Sequence, residues 1–414
     1  MKQLILALCL ITLSAHAQTI DNDRVTIGIS DSLYSAILGE TQRFWVSLPT
    51  NYDNPTFLRG HYPVIYVFDG DANFSTVASM ARQLSVRNGN SVLPEAIVVG
   101  VMNNDRTRDF TPYPSPFWVY PGPSPLENTG GGERFAGYLQ NELIPHIDSQ
   151  YSTAPYRVLI GHSLGGLATV NMLINHTRLF NAYVIIDPSL WYDNQGLLRQ
   201  AQKALRQKSF DGITAYLGIA NGLPPGMDTL QLLRDTTLAN LHMRSIFQFR
   251  NLLAASAKNG FRFNSGYYPH DTHMSAPMIS EYDGLRFMFD FFPLDPVYLV
   301  QFLNPSDTVD PARILTTHFQ QVSRNLGYPT LPSESLTNNY ANTMRDNGMP
   351  GKALGLYQLN VMNYPGSYGA WESLGDFYSD SSKREKAIEC YRRALSIKDV
   401  PAIKEKMSKL TANR

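Results

Sequence analysis

Between residues 22 and 292 the chain alternates short, β-rich apolar runs with stretches whose apolar residues recur at helical spacing. The runs at 63–68, 96–101, 157–160, 182–186 and 213–219 are apolar almost throughout, so they predict strands buried on both faces. Helical spacing at 135–147, 164–175 and 230–257 falls between or after them. This order predicts an α/β domain, a mostly parallel sheet covered by helices. Residues 24–30 and 43–48 read as edge strands antiparallel to the rest. The stretch from Thr111 to Gly132 is rich in Pro and Gly and reads as a loop long enough to cover a site.

Past Phe292 the pattern changes. A connector punctuated by Pro293, Pro296, Pro305 and Pro311 leads to a purely helical segment. There Trp371, Leu374, Gly375, Tyr378, Ala387, Tyr391 and Ala394 fit tetratricopeptide spacing, and Ala353, Tyr357 and Pro365 fit the same frame one repeat earlier. Two such repeats leave an apolar face open, so they are expected to pack on a helix near Arg313 to Leu326 or on the α/β domain. The predicted organisation is therefore a leader at 1–17, an α/β domain at 18–292, a linker with a helix at 293–332, and a small all-α repeat domain at 333–414. The repeats read either as a protein-docking surface or as a stabilising cap.

The leader follows from Met1-Lys2, the apolar run from Leu4 to Leu13, and Ala15-His16-Ala17, the three parts of a secretory signal peptide cleaved after Ala17. The run is too short for a membrane span, and Leu8 before Cys9 argues against a lipoprotein. An exported, periplasmic protein is expected, with no membrane span. Its mature form keeps one cysteine, Cys390, and so has no internal disulfide. Lys plus Arg and Asp plus Glu are both 35, so no net field favours nucleic acid. With 43% hydrophobic and 17% charged residues, the chain is rich enough in apolar groups to exclude a disordered one. No spacing of His, Cys or carboxylates suggests a metal site, and no Gly-rich loop suggests a nucleotide. No cofactor is expected.

The strongest chemical signal is Val158-Leu159-Ile160-Gly161-His162-Ser163-Leu164-Gly165-Gly166-Leu167, an apolar strand entering Gly-x-Ser-x-Gly and then an apolar helix. That context is what a nucleophile elbow of the α/β-hydrolase fold requires, and it nominates Ser163. The N–H of Leu164, at a helix start, is one expected oxyanion donor. The second is expected from the turn Val67-Phe68-Asp69-Gly70-Asp71, at Gly70 and Asp71. A serine needs a base, and in this fold the chain order is Ser, acid, His. His176 lies too close behind the serine helix, His242 within a long helical pattern, and His318 beyond the domain. This leaves the loop 267–275 with His270 and His273. For the acid, Asp228 follows the strand at 215–219 and is favoured; Asp187, ending the strand before it, is the rival; either could instead cap a helix or fix a turn, and a Ser/His dyad without a strong acid is the remaining reading.

These landmarks resemble the putative-esterase family that includes enterochelin esterases, esterase D, and the feruloyl-esterase and mycolyltransferase relatives. The resemblance spans roughly 24–292. It rests on Tyr62-Pro63-Val64 through Asp71, Asn103 to Pro112, Glu142 to Pro145, Gly161 to Leu167, Pro188-Ser189-Leu190-Trp191, and Asp271-Thr272-His273-Met274-Ser275. It implies His273 as base to Ser163 and Trp191 as a wall of the acyl or aryl pocket. Arg106 and Arg108 are then candidates to meet the substrate, or else partners of Asp105 or Asp109. Asp187 stands where family members often carry Ser, which keeps the acid open. The function implied is a serine carboxylic-ester hydrolase working through an acyl-enzyme, on a siderophore lactone or an aryl or acetyl polysaccharide ester. The alternatives are an acyltransferase of the same fold and a non-catalytic docking module built on the repeats.

Overall fold

In the computed structural model the described residues are 26–50, 52–54, 58–85, 91–119, 124, 126–257 and 260–412. The expected leader lies outside them. The strands are β1 Ile29–Ser35, β2 Glu40–Ser47, β3 Tyr62–Phe68, β4 Ile97–Val101, β5 Thr153–His162, β6 Ala182–Ile186, β7 Thr214–Ala220 and β8 Arg262–Tyr268. They form one eight-stranded sheet in the order β1-β2-β4-β3-β5-β6-β7-β8. All neighbours from β4 to β8 pair parallel, while β2 pairs antiparallel with both β1 and β4. Only β2 therefore runs against the rest, and β1 runs with them. Of the two strands expected as reversed edges, β2 is reversed but lies between β1 and β4, and β1 is the edge but runs with the rest. The first strand also begins later than 24–30, because its register is set by pairing Ile29 with Val46.

The helices within and around the sheet are α1 Gly70–Leu84, α2 Arg106–Phe110, α3 Gly132–Tyr138, α4 Ile144–Gln150, α5 Leu164–Asn175, α6 Tyr192–Gln207, α7 Thr229–Arg234, α8 Leu241–Ser256 and α9 Ala276–Met288. A π-helical turn at Leu139–Leu143 joins α3 to α4. The stretch read as one helix at 230–257 is two, α7 and α8, broken at 235–240, where Asp235 and Asn240 interrupt the apolar spacing. Alternation along the strands sorts the core onto two faces. In β3, Val64, Tyr66 and Phe68 join one apolar cluster with α5 and α6, while Ile65 and Val67 join another with α1 and α9.

The C-terminal third is helical: α10 Pro296–Leu303, α11 Pro311–Leu326, α12 Glu334–Asp346, α13 Pro350–Asn363, α14 Tyr368–Asp380, α15 Arg384–Ile397 and α16 Pro401–Ala412. Leu315, Phe319, Val322 and Leu326 of α11 share a single buried cluster with Ile65, Val67 and Phe289 of the α/β part. Phe292 meets Phe319 edge to face at 6.0 Å. Buried Glu334 accepts the Leu58 N–H at 3.0 Å, tying α12 to the segment before β3. Because one cluster runs through both parts, Phe319→Ala is expected to lower stability by about 3–5 kcal/mol. It should leave a single cooperative unfolding transition by calorimetry; two separated transitions would show that the parts melt independently.

Candidate active site

The site forms at the carboxyl end of the parallel strands, where consecutive neighbours β5, β6, β7 and β8 end side by side. Ser163 sits between β5 and α5 with φ 60° and ψ −117°, a conformation L-residues rarely adopt. The surrounding glycines make that turn possible. A Cβ on Gly161 would lie 2.3 Å from Thr169 Oγ1 and 2.4 Å from the Gly165 carbonyl oxygen, and one on Gly166 would lie 2.9 Å from the Ile186 carbonyl oxygen. The Ser163 N–H donates to the Ile186 carbonyl (3.1 Å), and its carbonyl accepts the Ser189 N–H (3.0 Å), so the elbow is bracketed by the end of β6. Its hydroxyl lies 3.4 Å from Ser189 Oγ.

Asp187 follows β6, also with positive φ, at 40°. Its side chain is 1% exposed and receives three donors. The Ala220 N–H reaches Oδ1 at 3.1 Å, His273 Nδ1 lies 2.5 Å from Oδ2, and His242 Nε2 lies 3.2 Å from the same oxygen. Burial alone would raise this carboxyl, but the hydrogen bonds and charge of His242 and His273 outweigh it and hold the group well below the usual carboxylate range. The acid is therefore ionised, and an Nδ1–H on His273 pointing at it directs the Nε2 lone pair elsewhere.

His273 comes from the loop after β8, which is pinned to the end of β7. The Asn221 N–H donates to the Asp271 carbonyl (2.8 Å), and its side-chain amide donates to the Pro269 carbonyl (2.7 Å). His273 and Ser163 line the same clefts. The His162 ring lies 4.5 Å from that of His273. Burial, with His273 beside it, pushes His162 down to about 4, so it stays uncharged near neutral pH.

The carboxylate that meets His273 is not the one the sequence favoured. Asp228 caps α7, where its carboxylate accepts the Leu230 and Gln231 N–H groups, both at 2.8 Å, and Gln231 closes a capping box. The carboxylate on His273 is Asp187. His270 lies on the same loop but lines neither cleft. His242 is a helix residue, as its spacing predicts, but it sits in the first turn of α8, where the break at 235–240 lets it reach Asp187; the Asp235-Thr236-Thr237 stretch is the sequence signal of that break.

Leu164 opens α5 directly after Ser163, and Gly70 opens α1, whose Asp71 lines a cleft with Ser163. The Asp69 carbonyl takes the Ala72 and Asn73 N–H groups, which leaves Gly70 and Asp71 as the first-turn donors of α1. Gly70 and Asp71 belong to the first turn of α1 rather than to a loop, since β3 passes into the helix through Asp69 alone, at φ 52°. A Cβ on Gly70 would lie 2.7 Å from the Gly100 carbonyl carbon, which explains the glycine there. Arg106 lines both clefts and makes a two-pronged bond to Asp69, Nε to Oδ1 at 2.6 Å and Nη2 to Oδ2 at 2.9 Å. Its partner is thus neither Asp105 nor Asp109. Arg108 bonds Asp109 (2.7 Å) and Glu40, which raise its pKa, and it lines neither cleft. It is structural. Trp191 packs edge to face on Trp118 at 5.4 Å, and with Leu126, Ser189, Thr107 and His242 these rings line a cleft of about 410 Å³ beside Ser163.

Among the described residues, Asp187, His242 and His273 are the group whose ligand atoms come within metal-binding reach, all within 4.8 Å. A tetrahedral zinc shell needs donor atoms about 3.3 Å apart. The 2.5 Å between His273 Nδ1 and Asp187 Oδ2 is instead a direct hydrogen-bond contact, too close for two ligands of one ion. Spacing gave no hint of this group, because its members come from three elements.

Residues 35–214 match the model of the family described as putative esterase. The chain is 26% identical over 177 residues to a siderophore triacetylfusarinine C esterase of Aspergillus fumigatus, covering 41% of this chain and 59% of that one. It is 27% identical over 170 residues to a ferri-bacillibactin esterase of Bacillus subtilis, covering 39% and 57%. The matched stretch thus spans under three fifths of these relatives' length. An IroE-like serine hydrolase from Shewanella oneidensis superposes with a TM-score of 0.68 at 28% identity, over 80% of this chain and 98% of that one.

Proposed function

We propose that the protein is a serine carboxylic-ester hydrolase in which Ser163, His273 and Asp187 act in sequence. The observation that carries this reading is His273, hydrogen-bonded to buried Asp187 and lining the same cleft as a serine on a strained strand-to-helix turn. His273 Nε2 takes the Ser163 proton as Oγ attacks the ester carbonyl. The oxyanion forms between the N-termini of α5 and α1, with the N–H groups of Leu164 and of Gly70 or Asp71 as its donors. The proton passes to the leaving alkoxide, and the acyl group stays on Ser163. Water, deprotonated by His273, then attacks the acyl-enzyme and restores the serine.

The relatives direct the choice of substrate toward siderophore esters, with Trp191 and Trp118 offering a wall for an aryl group and Arg106 at the mouth. The apolar run at the chain's start favours export to the periplasm, and no helix among the described residues is long and apolar enough to cross a membrane. The C-terminal helices, read as tetratricopeptide-like, act as a cap on the α/β part through their shared cluster. The reading is tested by incubating the protein with a cyclic catecholate trilactone, a feruloylated or acetylated oligosaccharide, and p-nitrophenyl butyrate, with products identified by mass spectrometry. Ring-opened trilactone is expected to form fastest. Cleavage of the oligosaccharide esters alone would move the substrate to polysaccharide, and transfer to an added alcohol in place of water would make the protein an acyltransferase.

A further inference from the structure

The cleft at Ser163 has two sides. The tryptophan-lined side is described above. The other, about 980 Å³, runs between α1 and α9, with Ala72, Asn73, Thr76 and Met80 on one wall and Met278, Glu281 and Tyr282 on the other. Ser163, Arg106 and His273 belong to both sides, so each side opens on the nucleophile.

Glu281 stands out here. It is 1% exposed, and its Oε1 is buried with no hydrogen-bond partner among the described residues. On the same helix Ser280, whose Oγ is likewise buried and unpartnered among the described residues, lies against Gly218 of β7 and does not line the cleft, and Gly284 lies against Val184 and Tyr216. Burial is the sole cause that moves the Glu281 carboxyl, pushing it up to about 8, so no cation compensates it. The guanidinium that lines this side, Arg106, is already committed to Asp69. An apolar residue of similar size would pack at this position without that desolvation cost. A lone carboxyl kept at the floor of a cleft that opens on the nucleophile calls for a ligand group to complete it.

We propose that the α1–α9 side of the cleft is a substrate subsite anchored by Glu281, and that it takes an uncharged, amide-bearing arm of the ester. A carboxyl that holds its proton offers one O–H donor and one acceptor oxygen, the complement of an amide's C=O and N–H. An anionic arm would instead face Asp71 and Asp271, which also line this side. The rim is apolar and adaptable: Met274 and Met278 are exposed, and Met80 faces them. The subsite rests on the serine-esterase reading of Ser163 and His273 and adds to it the chemistry of one substrate arm.

The test is a ladder of N-acetyl-ω-aminoacyl p-nitrophenyl esters, from glycyl to 6-aminohexanoyl, each beside its all-carbon isostere. A site built around a buried polar group discriminates against a ligand lacking the partner, so kcat/KM should favour the amide on at least one rung by about ten-fold or more. Glu281→Gln, which keeps a donor and an acceptor, should retain the preference, and Glu281→Leu should abolish it. Glu281→Met takes the place of the leucine variant if that one fails to fold by circular dichroism. Absence of any amide preference in the unaltered protein, or its persistence in the leucine or methionine variant, overturns the subsite. Failure of the esterase reading has a different signature, namely no ester on the ladder being turned over, or turnover that survives Ser163→Ala.

Discussion

Ser163→Ala is expected to reduce ester turnover by about a million-fold while leaving the fold intact. The magnitude follows from what the hydroxyl does. It is the atom that forms the acyl-enzyme, and without it His273 and Asp187 have nothing to activate except water that is not held in the elbow. The residual rate reports binding and the helix N-termini at the oxyanion position, which in comparable sites retain about 10³–10⁴-fold over the uncatalysed reaction. The backbone at 163 has φ 60° with either residue, and alanine removes only the oxygen that lies 3.4 Å from Ser189 Oγ. Folding should therefore change little. The check is kcat on p-nitrophenyl butyrate together with labelling by a fluorophosphonate, which forms its bond with an activated serine. Undiminished labelling in the alanine variant would remove Ser163 from the mechanism.

Asp187→Asn is expected to lower kcat by about 10³–10⁴-fold, whereas Asp228→Asn should leave it within about two-fold. Asp187 is met by three donors: the Ala220 N–H on one oxygen, and His273 and His242 on the other. A carboxylate accepts all of them; an asparagine has a single oxygen, so in either orientation its NH₂ confronts a donor. If it keeps the imidazoles, it loses the Ala220 N–H. If it keeps Ala220, His273 must turn its lone pair toward the amide and present Nε2–H to Ser163, the wrong tautomer for a base. The negative charge that stabilises the imidazolium formed in each step is lost in both cases. Asp228 meets only the N–H groups of Leu230 and Gln231, which asparagine also caps. Steady-state kinetics on the two variants, with circular dichroism to show that each is folded, distinguishes the assignments. A strong loss in Asp228→Asn with little in Asp187→Asn would return the acid to the later residue.

These two residues show where sequence reading stopped. Both follow a strand and sit in turn-forming sequence, and each suits a cap or a turn as well as a catalytic role. What separates them is that β6 lies one strand nearer to β5, so Asp187 ends beside Ser163, while Asp228 is carried out past β7 to open α7. Arg106 illustrates the same limit. Its neighbours in sequence, Asp105 and Asp109, were the natural partners, yet the carboxylate that holds it is Asp69, from the far side of β4. His242 was hidden inside a run of helical spacing, and Glu281 is a single polar letter on an amphipathic helix, the usual mark of a solvated face.

The sequence by itself determined the features that depend on near neighbours along the chain: apolar runs that make buried strands, helical spacing after residue 292, and the glycines that let Ser163 occupy its strained turn. Periodicity and turn chemistry act over a few residues, so they can be read a few residues at a time. The tertiary structure alone decided which acid meets His273, which way β1 runs, which carboxylate holds Arg106, and that a carboxyl lies unpaired under the cleft. Those outcomes depend on strand order and helix packing, which join residues far apart in the chain, and no local pattern carries that information.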